Sequence, residues 1–442
     1  MSPKSLRFLS KYWVQPGFKW HSPYHKLAYS VTSSSSCPAV HLLLDYGFLA
    51  RASAYRETHT QLFSLASLGK LEYMRGNNLE AIEYLRQALQ AELSTPKEID
   101  RAVKLLTRLS PCDVISWAKG GSHSRLSLQI QAARDAEACF LPDAKGDEHL
   151  LNANAQLSIS GKTTSLNAYW REMGLSEVCS QGGSDPFDIR CFVPTGKTVD
   201  ATPIVSVVMT VHNGERYLLA AALSILEQNN VPLELIIIDD ASNDGTWSII
   251  NALQRRFPGR IISERLPMNV GTYRAKNLGL TLCTREFVAF QDADDWSHPA
   301  RLATALEWLK ASPRRIATTS RYVRLSEDGK FYSPARWPIR QWSPNTLVFR
   351  REPVLRAIGH FDEVKVGADT SFFEALRAHF GDHRLNFQQE VNLVAMGRST
   401  SLMHGSITGI DEYGYSAARI QYRERVAEDI LQKIMELDSR AA

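Results

Sequence analysis

The stretch Phe287-Val288-Ala289-Phe290-Gln291-Asp292-Ala293-Asp294-Asp295-Trp296 decides how the rest of this chain is interpreted. Its apolar first half has the length and composition of a buried β-strand, and three carboxylates follow almost without a break. Pro299, shortly downstream, indicates the start of a helix that runs to Leu309, because proline is favoured in the first turn of a helix. The pattern therefore predicts that the three acids lie on a strand-to-helix turn.

Like charges crowded at the end of a strand cost free energy unless a cation lies among them. A divalent metal carrying a diphosphate explains Asp292, Asp294 and Asp295 economically, since carboxylate oxygens are hard ligands. In an open α/β sheet, ligands bind at the carboxyl ends of the strands, where these acids are expected. Short Asp-x-Asp patterns also occur on solvated loops, so the interpretation depends on the segments around this one.

Composition places the chain among ordinary globular proteins and excludes several functional classes. Its 442 residues, 44% of them hydrophobic, are enough for one large core or two to three ordinary ones. The net charge of +4 and the lack of a dense Lys/Arg block argue against nucleic acid as a partner. Six scattered cysteines without a Cys-x-x-Cys pair predict neither a zinc site nor a disulfide framework, and suit a reducing cytoplasm.

Residues 1–39 form a basic, aromatic segment, and no acid occurs before Asp45. No apolar run here or elsewhere is long enough to cross a bilayer, and the N-terminus lacks the apolar region of a secretory signal. Cations interleaved with aromatic rings suit an anionic membrane surface. Two interpretations stay open, namely peripheral contact with the inner face of a membrane and packing of the segment on its own domain.

The spacing of apolar residues divides the remaining chain into four regions. Residues 40–140 predict an all-helical module, 141–200 a mixed connector, 201–405 an α/β domain and 406–442 a closing helical segment. The helical module suits a docking function toward a protein partner, an acceptor or a membrane. Part of it resembles one tetratricopeptide helix pair, through Leu68-Gly69, Gly76-Asn77, Ala81, Tyr84 and Ala88.

The region 201–405 alternates predicted strands with predicted helices. Continuous apolar strands such as Leu235-Ile236-Ile237-Ile238 predict burial on both faces and hence a mostly parallel sheet. Polar segments follow four successive strands, at residues 209–215, 239–246, 269–279 and 292–295. Each segment alone has a structural explanation as a cap or a tight turn. Their joint occurrence at strand ends predicts a binding site at one edge of the sheet.

In this order, the four segments resemble those of the family 2 glycosyltransferases with the GT-A fold. The resemblance covers about residues 203–405 and implies a nucleotide-sugar site across the strand ends. By this resemblance, the nucleotide-sugar would be bound by Thr210, His212, Asn213, Glu215, Asp240, Gly271, Arg274, Lys276, Asn277, Asp292 and Arg398. Lys276 stands where the family more often has arginine, which keeps a cation but loses bidentate geometry.

The same resemblance assigns the metal and the base. Asp294 would be the direct ligand of Mg²⁺ or Mn²⁺, with Asp292 contacting the ribose or a metal-bound water, whereas Asp295 alternatively caps the following helix. Asp369, at a predicted helix start, would be the catalytic base, and a plain N-cap is its structural alternative. Arg398 and Ser401 resemble the family's late loop near the diphosphate, where His404 would assist.

The chain is thus expected to be a metal-dependent inverting glycosyltransferase. It would move a sugar to a hydroxyl of a glycan or lipid-linked acceptor in bacterial polysaccharide or surface glycan synthesis. A nucleotidyltransferase would instead open with a Gly-rich basic phosphate loop, which residues 212–215 are not. A non-catalytic nucleotide-sugar-binding scaffold with a retired transferase domain is the other alternative, although a retired site has no reason to keep Asp240, Asp294 and Asp369 together.

Overall fold

The computed structural model describes residues 38–91, 94–119, 123–134, 140–182, 186–196, 201–398 and 416–441. The predictions for residues 1–37 of the basic aromatic segment, and for Ser401 and His404, lie outside these ranges. In the part of the chain that is described, no helix is both long and apolar enough to span a membrane.

Nine α-helices precede the main sheet in the described ranges. They are α1 (Pro38–Tyr46), α2 (Leu49–Thr58), α3 (Leu65–Arg75), α4 (Asn78–Gln90), α5 (Pro96–Leu109), α6 (Pro111–Lys119), α7 (Ser124–Arg134), α8 (Glu148–Asn154) and α9 (Ile159–Glu172). Local signals explain their bounds: α5, for example, begins with a capping box in which Thr95 and Glu98 exchange hydrogen bonds. The predicted helical region before the sheet is confirmed.

Helices α3 and α4 approach each other closely at Gly69. A Cβ atom at this position would lie 2.6 Å from Leu85 Cγ, so no larger residue fits without a shift. Ala81 and Ala88 of α4 are buried and line the helix contacts of this region. The helix pair expected from the sequence is therefore present, while its relation to tetratricopeptide repeats stays a prediction.

The strands are β1 (Cys179–Ser180), β2 (Phe192–Val193), β3 (Val205–Val211), β4 (Leu233–Asp239), β5 (Ile261–Arg265), β6 (Phe287–Asp292), β7 (Asp295–Ser297), β8 (Ala317–Ser326), β9 (Phe331–Tyr332), β10 (Gln341–Trp342), β11 (Val348–Arg350) and β12 (Leu385–Gly397). The helices among and after them are α10 (Leu218–Leu226), α11 (Thr246–Arg256), α12 (Thr272–Leu282), α13 (Arg301–Lys310), α14 (Arg351–Ala357), α15 (Ala368–Phe380) and α16 (Ala417–Ala441).

The main sheet has the strand order β5-β4-β3-β6-β11-β8-β12-β7. Strands β5, β4, β3 and β6 are mutually parallel, whereas β11 is antiparallel to both β6 and β8. Strand β12 runs parallel to β8 and antiparallel to β7. The parallel half is the part that the alternating strand and helix pattern predicts.

Helices cover both faces of this parallel half. Val207 and Met209 of β3 belong to a core with α10, α11 and α13, while Val208 belongs to a second core with α12, α14 and α15. Every residue of β4 is buried, as its continuous apolar sequence predicts. At Gly279, an added Cβ would lie 2.4 Å from Val208 Cγ1, so α12 packs directly on the sheet.

The antiparallel half of the sheet is covered by residues of the predicted connector. Trp170 of α9 is buried and donates a hydrogen bond from Nε1 to the Val391 carbonyl at 3.0 Å. Its ring centroid lies 5.7 Å from that of Trp296 and 6.2 Å from that of Phe192. This aromatic core joins α9 to β7 and β12, so the predicted connector packs on and stabilises this part of the sheet.

The structure corrects the expectation for the turn after β6. A short strand, β7, follows the acids and pairs with β12, and helix α13 begins at Arg301 rather than at Pro299. Asp295 is a buried residue of β7, paired with Ala395, and therefore does not cap a helix. The cause is non-local, because β12 supplies the hydrogen bonds that hold these residues extended.

Helix α16 contacts both the helical region and the α/β domain. Leu431 packs in a core with Phe48 and other apolar residues of α1 to α3, and Arg51 forms an ion pair with Glu428. At the other contact, the Tyr422 hydroxyl donates to Asp362 Oδ2 at 2.7 Å and lies 2.8 Å from Ser371 Oγ of α15.

Candidate active site

The carboxyl ends of β4, β3 and β6 meet at one edge of the sheet, because these neighbouring strands are parallel. Thr210 of β3 is the register partner of Asp292 of β6, and Val211 is the partner of Asp239 of β4. The four polar segments predicted from the sequence all follow strands that end at or beside this edge.

The first two polar segments are bound to each other. His212 Nδ1 lies 2.7 Å from the Asp240 carbonyl oxygen, and Asn213 Oδ1 accepts a hydrogen bond from the Asn243 amide at 2.9 Å. Glu215 accepts a hydrogen bond from the Gly245 amide at 2.9 Å. These three predicted donor-site residues thus hold the two turns in a fixed relation at the strand ends.

Asp240 connects the second segment to the third. Its carboxylate is buried and accepts hydrogen bonds from the amides of Val270 at 2.7 Å and Gly271 at 2.9 Å. Gly271 has a φ of 89°, a conformation that favours glycine, and α12 begins directly after it. Thr272 then lies with its hydroxyl 3.3 Å from that of Thr210.

Lys276 is a buried cation among the acids. Its ammonium lies 3.0 Å from Asp292 Oδ1 and 3.1 Å from Asn345 Oδ1, and the Asn345 amide donates to the other oxygen of Asp292. Burial alone would lower the pKa of Lys276, but the nearby charges of Asp292 and Asp369 outweigh it and raise this pKa. The lysine is therefore charged at neutral pH.

Asp294 and Asp295 are crowded carboxylates. Burial raises the pKa of Asp294; the charge of Arg398 opposes this shift and that of Asp292 adds to it. Arg398 Nε lies 2.7 Å from Asp294 Oδ2. Burial, followed by repulsion from Asp294 and Asp292, raises the pKa of Asp295 well above its ordinary range. A cation at this edge would relieve the repulsion.

Arg301 lies buried beneath the acidic turn. Its guanidinium donates to Gln291 Oε1 at 2.7 Å, to Ser297 Oγ at 2.8 Å and to the Phe290 carbonyl at 2.7 Å. Burial lowers the pKa of Arg301 to about 10, which leaves it charged at neutral pH, and the charge of Asp295 opposes this shift. Arg301 thus stabilises the acidic turn through hydrogen bonds to residues of both β6 and β7.

Asp369 lies in the first turn of α15, near enough to Lys276 for its charge to contribute to the raised pKa of that lysine. The N-cap of that helix is Gly367, so Asp369 does not have the N-cap position proposed as its structural alternative. Its Oδ1 accepts hydrogen bonds from the Tyr273 hydroxyl at 3.0 Å and from the Thr370 amide at 2.8 Å. The helix N-terminus favours a negative charge at this position.

Two predicted donor-site residues have their polar atoms engaged elsewhere. Arg274 is half-exposed and pairs with Glu363 at 2.8 Å. Asn277 exchanges two hydrogen bonds of 2.9 Å with the backbone of Phe361, so it holds the loop before α15. The structure therefore does not bring these two side chains into the acidic cluster, although they position the segment that leads to Asp369.

Sequence reasoning missed three contributors to the site, namely Asn345, Arg301 and Tyr273. Asn345 lies in a short 3₁₀ helix, and its sequence context, Ser-Pro-Asn-Thr, indicates only a turn. Arg301 did carry a signal, because it shares the i, i+4, i+8 spacing of buried Ala305 and Leu309. No local pattern indicates the contact of Tyr273 with a residue 96 positions away.

The donor set fits a divalent cation that takes most of its ligands from a bound diphosphate. Asp292 and Asp294 supply hard carboxylate oxygens at the end of β6, and each is paired with a cation, Lys276 and Arg398 respectively. No group of three or more His, Cys, Asp or Glu side chains suited to enclosing a metal occurs among the described residues. Phosphate oxygens would complete such a site, as they commonly do for Mg²⁺.

Comparison with known proteins identifies the domain that carries this edge. Residues 206–365 match the family model described as "Glycosyl transferase family 2". Over these residues the chain is similar to the family 2 glycosyl transferases. The match runs from β3 to the loop before α15 and includes all four polar segments. Asp369 and Arg398 lie beyond its C-terminal end. With the observed topology, it confirms the predicted GT-A α/β class.

Relatives of the family 2 domain include glycosyltransferases with short matched regions. An uncharacterized glycosyltransferase of Nostoc sp. is 36% identical over 108 residues, which are 24% of this chain and 33% of that protein. UDP-Glc:alpha-D-GlcNAc-diphosphoundecaprenol beta-1,3-glucosyltransferase WfaP of Escherichia coli is 27% identical over 120 residues, 27% of this chain and 47% of that protein. The chain thus spans half or less of the length of these relatives.

Among solved structures, S. aureus TarS 1-349 in complex with UDP-GlcNAc is similar in part. It shares 18% sequence identity with a TM-score of 0.40, over 52% of this chain and 71% of that one.

Proposed function

We propose that this protein is a metal-dependent inverting glycosyltransferase that moves a sugar from a nucleotide-sugar to an acceptor hydroxyl. The observation that carries the proposal is the position of Lys276. This one buried ammonium contacts Asp292 and is also influenced by the charge of Asp369. The candidate metal-binding residue Asp292 and the candidate base Asp369 thus both lie near Lys276, which supports the close placement that a single displacement requires.

The strand ends would bind the nucleotide-sugar. Thr210, His212 and Asp240 lie on the two turns next to the acidic edge, with the amides of α12's first turn beside them. Lys276 supplies a fixed positive charge for the diphosphate, and Arg398 can exchange its contact with Asp294 for a phosphate oxygen. A Mg²⁺ or Mn²⁺ ion held by Asp294 and Asp292 would stabilise the negative charge of the leaving nucleoside diphosphate.

Asp369 would accept the proton of the attacking hydroxyl. Tyr273 and Thr370 fix its Oδ1, and the N-terminus of α15 favours its negative charge. As the acceptor oxygen bonds to the anomeric carbon, the bond from that carbon to the diphosphate breaks on the opposite face. The reaction therefore inverts the anomeric configuration, and positioning and electrostatics account for most of its rate.

The proposed acceptor class is supported by the name of one relative and not by the geometry of the site. WfaP is named for transfer to a diphosphoundecaprenol-linked sugar. A lipid-linked glycan acceptor in bacterial polysaccharide synthesis is therefore our proposal for this chain. The helical region would dock the acceptor or a protein partner, and the basic segment 1–39 would add peripheral membrane contact.

The first test is a thermal-shift screen of the full-length protein with UDP, GDP, CMP and dTDP and their sugars, with and without Mn²⁺. A shift for one nucleotide that requires the metal would support the donor site and name the donor class. NMR of the anomeric proton in the product then tests inversion. A well-folded protein that shifts with no nucleotide, or a product with retained configuration, would overturn the proposal.

A further inference from the structure

We propose that the hydroxyl of Tyr273 is a positioning group that orients Asp369 for proton transfer and connects it to the donor-binding turn. This inference rests on the proposed function, because it concerns how the same site is aligned. Tyr273 itself would touch neither substrate nor metal. It would act through the carboxylate of Asp369.

The hydrogen bonds of the Tyr273 hydroxyl fix the direction of its proton. The hydroxyl oxygen accepts a hydrogen bond from the Gly367 amide at 3.1 Å and lies 3.0 Å from Asp369 Oδ1. Because the amide can only donate, the hydroxyl must give its own proton to the carboxylate. Asp369 Oδ1 also accepts from the Thr370 amide, and among the described residues Oδ2 receives no hydrogen bond. The arrangement leaves Oδ2 for the acceptor hydroxyl.

The ring of Tyr273 is held rigidly enough to transmit this orientation. Tyr273 is only 7% exposed, and its ring centroid lies 5.7 Å from that of Phe361 in the loop before α15. Asn277, one turn further along α12, exchanges two hydrogen bonds with the backbone of the same Phe361. Tyr273 and Asn277 thus join the start of α12 to the segment at the start of α15, and of these two side chains it is Tyr273 that donates to Asp369.

The same helix turn is bound to the donor side of the site. Asp240 accepts hydrogen bonds from the amides of Val270 and Gly271, three and two residues before Tyr273. A continuous path therefore runs from Asp240 through the first turn of α12 to the tyrosine hydroxyl and Asp369. A displacement of this turn on donor binding would be transmitted to the Asp369 carboxylate through the Tyr273 hydroxyl.

The decisive variant is Tyr273→Phe, which keeps the ring and removes the hydroxyl. We expect kcat to fall by about 10- to 100-fold, since a hydrogen bond to a charged group is lost and the carboxylate is no longer fixed. KM for the donor and the metal-dependent nucleotide shift should stay at the wild-type values. The acidic limb of the kcat profile should move to higher pH, because a donor that stabilises the charged carboxylate is gone.

The groups around Asp369 define what the pH profile reports. Tyr273 and Lys276 approach it from α12. Tyr422 of α16 contacts Ser371, two residues further along α15, and also donates to Asp362 in the preceding loop. Site-specific 3-fluorotyrosine at position 273 keeps the ring and the hydroxyl but makes the phenol a stronger donor. We expect this variant to move the acidic limb in the opposite direction, to lower pH.

Tyr217→Phe is the matched control, because Tyr217 is also buried but its hydroxyl has no hydrogen-bond partner among the described residues. Its turnover and pH profile should equal those of the wild type. If Asp369→Asn abolishes turnover while both Tyr273 variants keep wild-type kcat and pH profiles, Tyr273 only packs and the inference is wrong. If Asp369→Asn itself keeps turnover, the assignment of the base fails first.

Discussion

The ammonium of the buried Lys276 lies 3.0 Å from Asp292 Oδ1, at the end of β6. Asn345 contacts both groups and completes a closed set of hydrogen bonds. One of the two candidate metal-binding acids is therefore already oriented by the protein itself. Because the carboxylate is already oriented, less free energy is needed to reorganise the site when a donor and a metal bind.

Replacement of Lys276 by methionine should destabilise the protein and weaken nucleotide binding. Asp292 would lose its cation in a mostly buried position, and breaking a buried ion pair costs about 3–5 kcal/mol. Because Asp292 is still 30% exposed, we expect the lower end of this range in urea unfolding. Lys276→Arg should recover part of the stability, and exposed Lys310→Met serves as the control. A Lys276→Met protein of wild-type stability would contradict the pairing.

Asp294→Asn should remove the dependence of nucleotide binding on Mn²⁺. In the wild type, the pKa of Asp294 is raised above its ordinary value of 3.8, so this carboxyl group stays protonated up to a higher pH. The metal-induced thermal shift should therefore grow as pH rises through that raised pKa, because the ligand becomes charged. Measurements at pH 5 and pH 7.5 test this trend. Glu307→Gln, an exposed acid on α13, should retain it, whereas a trend that survives in Asp294→Asn would exclude Asp294 as the ligand.

Asp369→Asn should lower kcat by about 100-fold or more while donor binding is unchanged. The amide keeps the size of the side chain but cannot accept the acceptor's proton, and general-base catalysis contributes about 10²- to 10⁴-fold. Steady-state kinetics with varied donor and acceptor measure the change. Glu374→Gln changes a carboxylate on the same helix that pairs with Arg377, and its turnover should equal the wild type. Near-normal turnover of Asp369→Asn would reduce Asp369 to a structural residue of α15.

Leu431→Ala should destabilise the helical region more than the sheet. Leu431 is buried against Leu43 and Phe48, so its truncation leaves a cavity that costs about 2–5 kcal/mol. Hydrogen exchange should show earlier opening of α1 to α3 than of β3 and β4. Leu157→Ala, at a fully exposed leucine, provides the control. Equal protection in the variant and the wild type would mean that α16 does not stabilise the helical region.

Several features of the fold and site could be predicted because their signals are local. Strand β4 occupies Leu233–Asp239 as predicted, because a short apolar run rich in isoleucine between turn signals favours a buried strand. The turns at Asn213 and Gly271 have positive φ values of 51° and 89°, which asparagine and glycine tolerate better than other residues. The alternating pattern then brings the polar segments to one edge.

Other features were decided only when distant segments met. Strand β12 carries Asn386, Gln388, Gln389, Glu390 and Asn392 among its apolar residues, which conceals it in the sequence. Its pairing with β7 keeps Asp295 extended and prevents the acids from entering a helix directly. The sequence by itself determined the parallel half of the sheet and the position of its acidic edge, because hydrophobic spacing and turn chemistry act over a few residues. Only the tertiary structure placed Asn345, Arg301 and Tyr273 around the acids, since burial and pairing with distant partners depend on the packed fold.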